Sequence, residues 1–386
     1  MRILLWHVHG GWADAFVRGR HEYLLPTTAD GGAWGLGRAG RDWPESVREV
    51  HPDDLRDAGV DLVVLQRTDE LAEAERLLGR PLGTGPGRVP AVFVEHNTPR
   101  ESVPNSVHPL SGRDDVLVVH VTAFNSLFWD CGDAPTVTIE HGVVDPGPLY
   151  TGERARLGVV VNEPVRRWRV TGSDLLPRFA EAAPLDVFGM GAEGLPDALG
   201  LGPDSMTVVG DLPTARLHRR LAECRVYLHP IRWTSLGLSL IEAMQAGLPV
   251  VALATTEAYR AVPPGAGAVS TDVDLLVRTA RSLVADPDAA RAAGEVARAH
   301  ALERYGLGRF LGEWDAVLEA VLADGPRAAA AAAAGAGAAE FRNSAAHVPG
   351  SAPGAGTRLL NPHHAGPTFL NDESTRSRQS TERTSA

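Results

Sequence analysis

The sequence predicts an α/β protein in which two domains, each built on a parallel sheet, are followed by a C-terminal tail. Short apolar runs rich in Val, Ile and Leu alternate with helix-like segments, which is typical of parallel sheets. The alternation stops at residues 145–153 and then begins again. A chain of 386 residues is also long enough to form two domains, each with its own core.

The first half contains five apolar runs that we expect to form the strands of the first sheet. They cover residues 2–8, 61–66, 91–96, 116–122 and 136–142. Three of them contain a histidine near the end, namely His7, His96 and His141. Parallel α/β sheets bind ligands beyond the carboxyl ends of their strands, so we expect these histidines to lie near a crevice.

The second half begins after the Pro- and Gly-rich segment 145–153, which we interpret as a linker. Its expected strands cover residues 156–161, 185–191, 206–211, 224–230 and 248–253, and closing helices follow at 286–324. We therefore expect an N-terminal domain at 1–150 and a C-terminal domain at 151–325. The Ala run and the Ser, Thr, Pro, Gly and Arg mixture of 326–386 cannot bury enough apolar surface to offset chain entropy, which predicts a disordered tail.

Charge and composition exclude several classes of function. A net charge of -11 argues against a nucleic-acid partner, because phosphate neutralisation needs clustered positive charge. The chain contains no lysine, which excludes a Walker-type phosphate loop and a lysine Schiff base. Cys131 and Cys224 fit neither a disulfide framework nor a zinc site. No apolar run has the length of a signal peptide or a transmembrane segment, so we expect a cytoplasmic protein.

A glycine motif at residues 189–194, GMGAEG, matches the dinucleotide-binding pattern G-x-G-x-x-G and has Asp211 roughly twenty residues further on. That pattern should open a long helix, but Pro196 and the glycines that follow leave room for one or two turns. We therefore favour a turn at Gly189 beside another ligand. A nicotinamide-dependent oxidoreductase is kept as the weaker alternative.

Two further motifs allow metal binding in principle. The DVD sequence at 272–274 could hold a divalent ion, but it precedes a helix-like segment, where a cap and first-turn acids stabilise the helix start. His7 and His9 could ligate a metal, although two histidines without a third ligand are more often turn residues. We expect no metal site. The adjacent Gly10 and Gly11 allow the backbone to approach a phosphate or a sugar closely.

A basic cluster, VRRWRV at 165–170, contains Arg166, Arg167 and Arg169. Two interpretations stay open at this point. The arginines could form a solvated edge, or they could supply the positive charge that a diphosphate needs, because guanidinium groups bind phosphate through paired donors.

The segment TSLGLSLIEAMQAGLPVVA, residues 234–252, predicts a turn, a helix and a strand. Its helix places apolar residues on one face, whereas Glu242 falls on the side of Ser239 and Gln245. Periodicity alone therefore allows Glu242 to be an ordinary solvated glutamate.

With its flanks, PIRWTSLGLSLIEAMQAGLPVVA resembles the donor-site motif of retaining GT-B glycosyltransferases of the group 1 type. The preceding MTVVGDLPTARLHRRLAECRVYLHP and the later ALERYGLGRFLGEWDAVLEAVL are also similar to that family, so the resemblance extends over about residues 206–323. It implies two Rossmann-like domains that face each other across a cleft. The N-terminal domain would bind the acceptor and the C-terminal domain the nucleotide sugar.

The resemblance also implies roles for individual residues. Glu242 would accept hydrogen bonds from the nucleotide ribose, the backbone N–H groups at Gly237 and Leu238 would meet the diphosphate, and His96 would face the transferred sugar. Thr234 stands where the family has its first motif glutamate, which contacts sugar hydroxyls. The family's Gly-, Arg- and Lys-containing loop after the first C-terminal strand is replaced here by NEPVRRWR.

We therefore predict a retaining, metal-independent, hexosyltransferase-like enzyme that moves a sugar from a UDP- or GDP-sugar to an unknown acceptor. Arg166, Arg167 and a helix N-terminus would stabilise charge on the leaving diphosphate. The donor would be the one nucleotide compound required, with no separate cofactor. Because Thr234 replaces a motif glutamate, a non-catalytic nucleotide-sugar-binding protein of the same fold stays open as an alternative.

Overall fold

The N-terminal half forms a seven-stranded sheet. The computed structural model describes residues 1–345, with side chains to residue 335. The strands are all parallel, in the order β3-β2-β1-β4-β5-β6-β7. Their bounds are β1 Arg2–Leu5, β2 Glu22–Pro26, β3 Val47–Val50, β4 Leu62–Leu65, β5 Ala91–Glu95, β6 Leu117–His120 and β7 Thr136–Thr138.

Both faces of this sheet are buried, as the continuous apolar runs require. In β4, Leu62 and Val64 pack into one cluster while Val63 and Leu65 pack into the other. The helices of this half are α1 Gly10–Phe16, α2 Glu70–Leu78 and α3 Ala123–Phe128, with 3-10 turns at Pro52–Asp57 and Val103–Asn105.

The C-terminal half forms a six-stranded parallel sheet in the order β10-β9-β8-β11-β12-β13. Its strands are β8 Arg154–Val160, β9 Leu185–Phe188, β10 Met206–Gly210, β11 Cys224–His229, β12 Val250–Leu253 and β13 Gly267–Ser270. In both sheets the first strand lies between the second and the fourth. This order creates a crevice at the carboxyl ends of the strands, where ligands of doubly wound sheets bind.

Ten helices accompany or follow the second sheet within the described part of the chain. The short ones are α4 Trp168–Thr171, α5 Leu176–Ala180, α6 Leu195–Leu199 and α9 Ala258–Ala261, with a 3-10 turn at Ser173–Leu175. The longer ones are α7 Thr214–Ala222, α8 Leu238–Ala246, α10 Val273–Ala285, α11 Pro287–Tyr305, α12 Leu307–Asp324 and α13 Pro326–Ala345.

Helix α12 crosses back to the N-terminal half. Its Phe310 and Trp314 are buried in the same apolar cluster as Trp12 and Phe16 of α1. The ring centroids of Phe16 and Trp314 lie 5.0 Å apart at a steep angle, which is a favourable aromatic arrangement. The closing helices were predicted to belong to the C-terminal domain, but α12 packs into the N-terminal core, because its apolar face complements α1.

Helix α13 begins the segment that the sequence predicted to be a disordered tail. Ala has the highest helix propensity, so the Ala run continues as a helix after Gly325. The side chain of Ala329 is buried against the N-terminal cluster. The rest of the predicted tail, residues 346–386, lies outside the described residues.

No helix within residues 1–345 combines the length and the apolar character that crossing a membrane requires.

Candidate active site

A cavity of about 850 Å³ lies between the two halves. Strand ends and loops of both sheets supply its walls, as the crevice at the carboxyl ends of parallel strands predicts. From the N-terminal half it is lined by His9, Trp12, His96, Asn97, Thr98, Arg100 and His141. From the C-terminal half it is lined by Glu163, Arg166, Arg167, Trp168, Arg169, Val170, Trp233, Thr234, Ser235, Leu236 and Leu238.

Three histidines form the centre of the N-terminal wall. His9 follows β1, His96 directly follows β5 and His141 follows β7. The rings of His9 and His96 lie 3.9 Å apart between centroids. Burial lowers the pKa of all three, that of His141 to about 4 and that of His96 well below its usual range, and the neighbouring histidines lower the pKa of His96 further. These rings are therefore neutral near pH 7.

Several buried polar atoms on this wall have no hydrogen-bond partner within the described residues. They are Nε2 of His96, Nδ1 of His141 and Nε1 of Trp12. Buried polar groups are almost always satisfied in folded proteins, so three unsatisfied atoms in one cavity wall indicate a place where water or a ligand supplies the partner.

The loop 97–100 is held in place by hydrogen bonds from three directions. The Glu95 carboxylate accepts from the backbone N–H of Asn97 at 2.7 Å. The Trp129 indole donates to the Asn97 carbonyl at 2.9 Å, and the Trp233 indole of the opposite half donates to the Pro99 carbonyl at 2.8 Å. This loop is therefore a preorganised part of the wall.

Glu95 is itself fixed by a buried histidine. The backbone N–H of Leu110 donates to Nδ1 of His108, so that nitrogen is an acceptor and the ring proton is on Nε2. That Nε2 donates to the second oxygen of Glu95 at 3.1 Å. The Glu95 negative charge in turn raises the pKa of His9, although burial lowers it more.

The C-terminal wall contains the predicted arginine cluster, and its members differ in their partners. Arg166 is largely exposed and forms an ion pair with Glu163, with Nε 3.0 Å from the carboxylate. Arg169 and Arg232 both bind Asp174, at 3.1 Å and 2.9 Å. These three guanidinium groups therefore contact two carboxylates, with Asp174 shared between Arg169 and Arg232.

Arg167 is the exception in this cluster. Its guanidinium makes no hydrogen bond or ion pair to any residue in the described part of the chain. Burial lowers its pKa, the positive charges of Arg166 and Arg100 lower it further, and the Glu163 carboxylate opposes them in part. A half-buried guanidinium that no carboxylate contacts directly, facing a cavity, is an arrangement that favours an anionic ligand.

Helix α8 begins at the edge of the cavity. Gly237 is its N-cap and supplies no side-chain hydrogen bond, so the first N–H groups of the helix are available to a ligand. Leu238 lines the cavity. Across the cleft, a Cβ on Gly11 would lie 2.6 Å from Cδ1 of Leu238, so the two halves approach each other closely at this point.

Glu242 lies one turn into α8 and is not part of the cavity lining. Its carboxylate is 20% exposed and lies 3.4 Å from Nε2 of His218, on α7. The neighbouring Ser239 forms a 3.0 Å hydrogen bond with the buried hydroxyl of Tyr227. Glu242 therefore belongs to a partly buried polar cluster behind the start of α8, and its predicted contact with a ribose stays a prediction.

Gly10 and Gly189, which were also predicted to contact the substrate, lie outside the cavity lining. A Cβ on Gly10 would lie 2.3 Å from Nη2 of Arg41, a side chain that can move. Gly189 has a φ of +119°, and a Cβ there would lie 2.2 Å from the carbonyl oxygen of Val161. The backbone packing between β8 and β9 is enough to explain a glycine at 189.

The DVD motif at 272–274 and the glycine motif at 189–194 have structural explanations that need neither a metal ion nor a dinucleotide. Asp272 caps α10 by accepting hydrogen bonds from the N–H groups of Asp274 and Leu275. The helix after the 189–194 glycines, α6, is five residues long, as its proline and glycines predicted. Within residues 1–345, no group of three or more His, Cys, Asp or Glu side chains is arranged to hold a metal ion.

Five of the ten predicted site residues line the cavity, namely His96, Arg166, Arg167, Thr234 and Leu238. Sequence reasoning did not single out Trp12, Asn97, Arg100 or Trp233, because each is an ordinary loop or helix residue until the fold brings it to the cavity. The position of His141 at a strand end was a usable signal. His7 lies elsewhere, with Nδ1 bonded to the Gly37 carbonyl.

A family model described as glycosyl transferases, group 1, matches residues 169–289. This range covers the second sheet from α4 to the start of α11 and includes α8. No curated protein sequence matches the chain.

Solved structures with the same fold extend over both halves. The sucrose-phosphate synthase of Thermosynechococcus elongatus is 16% identical, with a TM-score of 0.61 over 84% of this chain and 99% of that chain. HepE of Anabaena in complex with UDP is 15% identical, with a TM-score of 0.63 over 83% of this chain and all of the other. A glycosyltransferase from Rickettsia africae is 13% identical, with a TM-score of 0.62 over 84% and 98% of the two chains.

At these identities the structural similarity establishes the fold, which is GT-B with two Rossmann-like domains, as predicted. Residues 169–289 match the model of the group 1 glycosyl transferases, and the chain has the GT-B fold, which together support a glycosyltransferase.

Proposed function

We propose that this enzyme transfers a sugar from a UDP- or GDP-sugar to an acceptor with retention of the anomeric configuration and without a metal ion. The observation that carries the proposal is the cavity between the two halves. One of its walls presents Arg167 and the start of α8, and the other presents neutral histidines.

The C-terminal wall suits a nucleotide diphosphate. The uncapped first turn of α8 offers backbone N–H groups, and the helix dipole favours negative charge at that end. Arg167 adds a guanidinium without an internal partner. Arg166 is held by Glu163, so we expect it to contribute less than Arg167 to diphosphate binding.

The N-terminal wall suits an uncharged sugar ring. Neutral imidazoles and an indole N–H can donate to or accept from hydroxyl groups without requiring a counter-charge. His96 would contact the transferred sugar in this arrangement. Because its pKa is far below neutrality, it would act as a hydrogen-bonding group and not as a general acid.

The proposed reaction breaks the bond between the anomeric carbon and the diphosphate oxygen. A bond from an acceptor hydroxyl oxygen to the same face of that carbon replaces it, and the hydroxyl proton moves to the departing phosphate oxygen. Negative charge grows on the leaving diphosphate, where Arg167 and the α8 N–H groups would stabilise it, each by a few kcal/mol.

UDP is the first nucleotide to test. Structures of HepE that share this fold contain UDP and UDP-glucose. The similarity is to the fold alone, so GDP-sugars belong in the same experiment.

A binding protein without turnover is the second candidate, and Thr234 favours it. This residue lines the cavity where the family motif has a carboxylate, and its hydroxyl cannot supply the same charge. Hydrolysis of a donor in the absence of an acceptor separates the two candidates, because a binding protein releases no nucleotide.

The deciding experiment incubates the full chain with UDP-glucose, UDP-N-acetylglucosamine and GDP-mannose, and measures released nucleotide with and without EDTA. We expect slow release from at least one donor, unaffected by EDTA and reduced in Arg167→Ala. Arg278→Gln is the matched control, since Arg278 is exposed on α10 and away from the cavity. Tight nucleotide binding without release would support the second candidate, and loss of release with EDTA would contradict metal independence.

A further inference from the structure

One acidic side chain lies in a cavity wall that otherwise suits an anion. Among the described residues that line the cavity, Glu163 is the one that carries a carboxylate. It belongs to the same loop as Arg166 and Arg167, which lie on the diphosphate side of the proposed donor site. A negative charge beside a diphosphate lowers the affinity for it, so the position of Glu163 requires an explanation.

The backbone of Glu163 is held in an unusual conformation. Its φ of +52° lies in the left-handed region, which residues other than glycine seldom adopt. Two backbone hydrogen bonds maintain this conformation. The Glu163 N–H donates to the Met190 carbonyl at 2.7 Å, and the Glu163 carbonyl accepts from the Arg167 N–H at 2.9 Å. The cavity wall therefore contains a glutamate at a position where glycine would carry less strain.

The Glu163 carboxylate binds one of the two adjacent arginines and leaves the other. Both of its oxygens accept hydrogen bonds from Arg166, Oε1 from Nε at 3.0 Å and Oε2 from Nη2. Within the part of the chain that the structure describes, no hydrogen bond or ion pair joins it to the Arg167 guanidinium. Burial lowers the pKa of Arg167, the charge of Arg166 lowers it further, and the charge of Glu163 opposes this. The charges of the three side chains are therefore coupled.

The pair of Glu163 and Arg166 is exposed on both sides. Exposed ion pairs contribute little to folding stability, because water screens the charges and two long side chains lose conformational freedom. The backbone hydrogen bonds of Glu163 already hold the loop. Stability alone therefore does not explain a carboxylate at this position.

The donor and the product of the proposed reaction differ in charge at this wall. In a nucleotide sugar each phosphate carries a single negative charge, whereas the terminal phosphate of the released nucleoside diphosphate carries close to two near neutral pH. Two unpaired arginines beside the diphosphate would favour the product over the donor, and slow release of product limits turnover. A carboxylate that pairs with one of these arginines reduces that preference.

We propose that Glu163 is a specificity-determining residue, which pairs with Arg166 and thereby weakens binding of the nucleoside diphosphate product more than binding of the nucleotide-sugar donor. The inference rests on the proposed function, because it takes the C-terminal wall as the diphosphate site. Glu163 acts through Arg166 and needs no contact with either ligand.

The test measures dissociation constants of UDP and UDP-glucose by calorimetry at about pH 8, where the terminal phosphate of UDP is fully ionised. Inhibition of donor turnover by UDP is measured alongside, and GDP and GDP-mannose are titrated in the same way. We expect Glu163→Gln to bind the nucleoside diphosphate at least about fivefold more tightly than the wild type, with a smaller gain for the nucleotide sugar. Glu163→Gly should behave alike, since glycine adopts the backbone conformation at 163 without strain.

A double variant tests whether Glu163 acts through Arg166. When Glu163→Gln is combined with Arg166→Gln, both charges are absent, and the affinity for UDP or GDP should return to within about twofold of the wild type. Glu73→Gln is the matched control, since Glu73 forms an ion pair with Arg76 at the same spacing of three residues, on α2 and away from the cavity. This control should bind both ligands like the wild type.

Three results would overturn the inference while the wild type binds its nucleotide sugar. They are no gain in affinity for the nucleoside diphosphate in either Glu163 variant, an equal gain for the nucleotide sugar, and a gain that persists in the double variant. If the wild type binds neither UDP nor GDP nor their sugars, the proposed function itself fails, and the inference fails with it.

Discussion

The two walls of the cavity come from sheets whose first strand has the same neighbours, yet they differ in electrostatic character. The N-terminal wall centres on buried, neutral histidines with unsatisfied nitrogen atoms. The C-terminal wall has arginines and an uncapped helix start. One architecture thus provides a surface for uncharged hydroxyls and a surface for phosphates, and the difference lies in the residues that follow each strand.

Among the changes to the two walls, removal of Arg167 should have the largest effect on catalysis. Arg167→Ala should reduce kcat/KM for donor turnover by roughly 10²-fold or more, because positive charge at the leaving diphosphate is lost. Arg166→Ala should cost much less, since Glu163 already pairs with that side chain. Steady-state kinetics of both variants decide the matter. Equal losses in the two variants would contradict the assignment of Arg167.

Substitution of Glu242 tests whether the nucleotide site extends behind the start of α8. Glu242→Gln should weaken binding of UDP or GDP by about 1–3 kcal/mol, because a charged acceptor of hydroxyl groups is replaced by a neutral one. Calorimetry with the preferred nucleotide measures this, with Glu303→Gln on the exposed side of α11 as the control. Wild-type affinity in Glu242→Gln would restrict that glutamate to its contact with His218.

The neutrality of the N-terminal wall predicts a dependence of stability on pH. The folded-state pKa of His141 is lowered to about 4 by burial, so the unfolded chain binds its proton more readily. Its contribution to stability is complete above pH 6.5 and is lost as pH falls from about 6.5 to about 4, by about 1 kcal/mol at pH 5.5. Urea unfolding of wild type and His141→Asn at pH 7 and 5.5 should show a smaller loss in the variant. Substitution of the exposed His51 should leave the wild-type loss in place.

The smallest expected effect on nucleotide binding concerns the helix that follows α12. Ending the chain after Gly325 removes the buried Ala329 and Pro326 and the partly buried Ala330, and should cost about 1–2 kcal/mol of unfolding free energy. Nucleotide affinity should not change. A loss above about 3 kcal/mol in chemical denaturation would mean that the segment from 326 onward supports the fold far more than these contacts do.

The fold could be predicted because the central strands have continuous apolar sequences. Runs such as LVVL in β4 and LVVH in β6 are apolar on both faces, as buried parallel strands must be. Two of the four edge strands, β3 and β13, were missed, since their sequences, VREV and GAVS, carry no continuous apolar run. The strand β2 was missed beside Pro26, which signals a strand end.

Site residues could be predicted where a local sequence pattern determines the backbone, as at a strand end or a helix start. They could not be predicted where segments distant in sequence meet. His96 and Leu238 follow from the end of a strand and the start of a helix. Arg100 and Trp233 lie 133 positions apart, and neither carries a motif for the cavity wall they share. The sequence does not predict the ion pairs either. Only the fold shows that Arg166 contacts a carboxylate and that Arg167 contacts none within the described residues.

The return of α12 to the first half has a consequence for synthesis on the ribosome. Residues 1–150 are translated before α12, so their apolar cluster lacks Phe310 and Trp314 until that helix has been made. The second sheet, by contrast, has all of its strands by residue 270. The core of the first half is therefore completed only by residues translated after the whole second sheet, and the face of Trp12 and Phe16 stays uncovered until then.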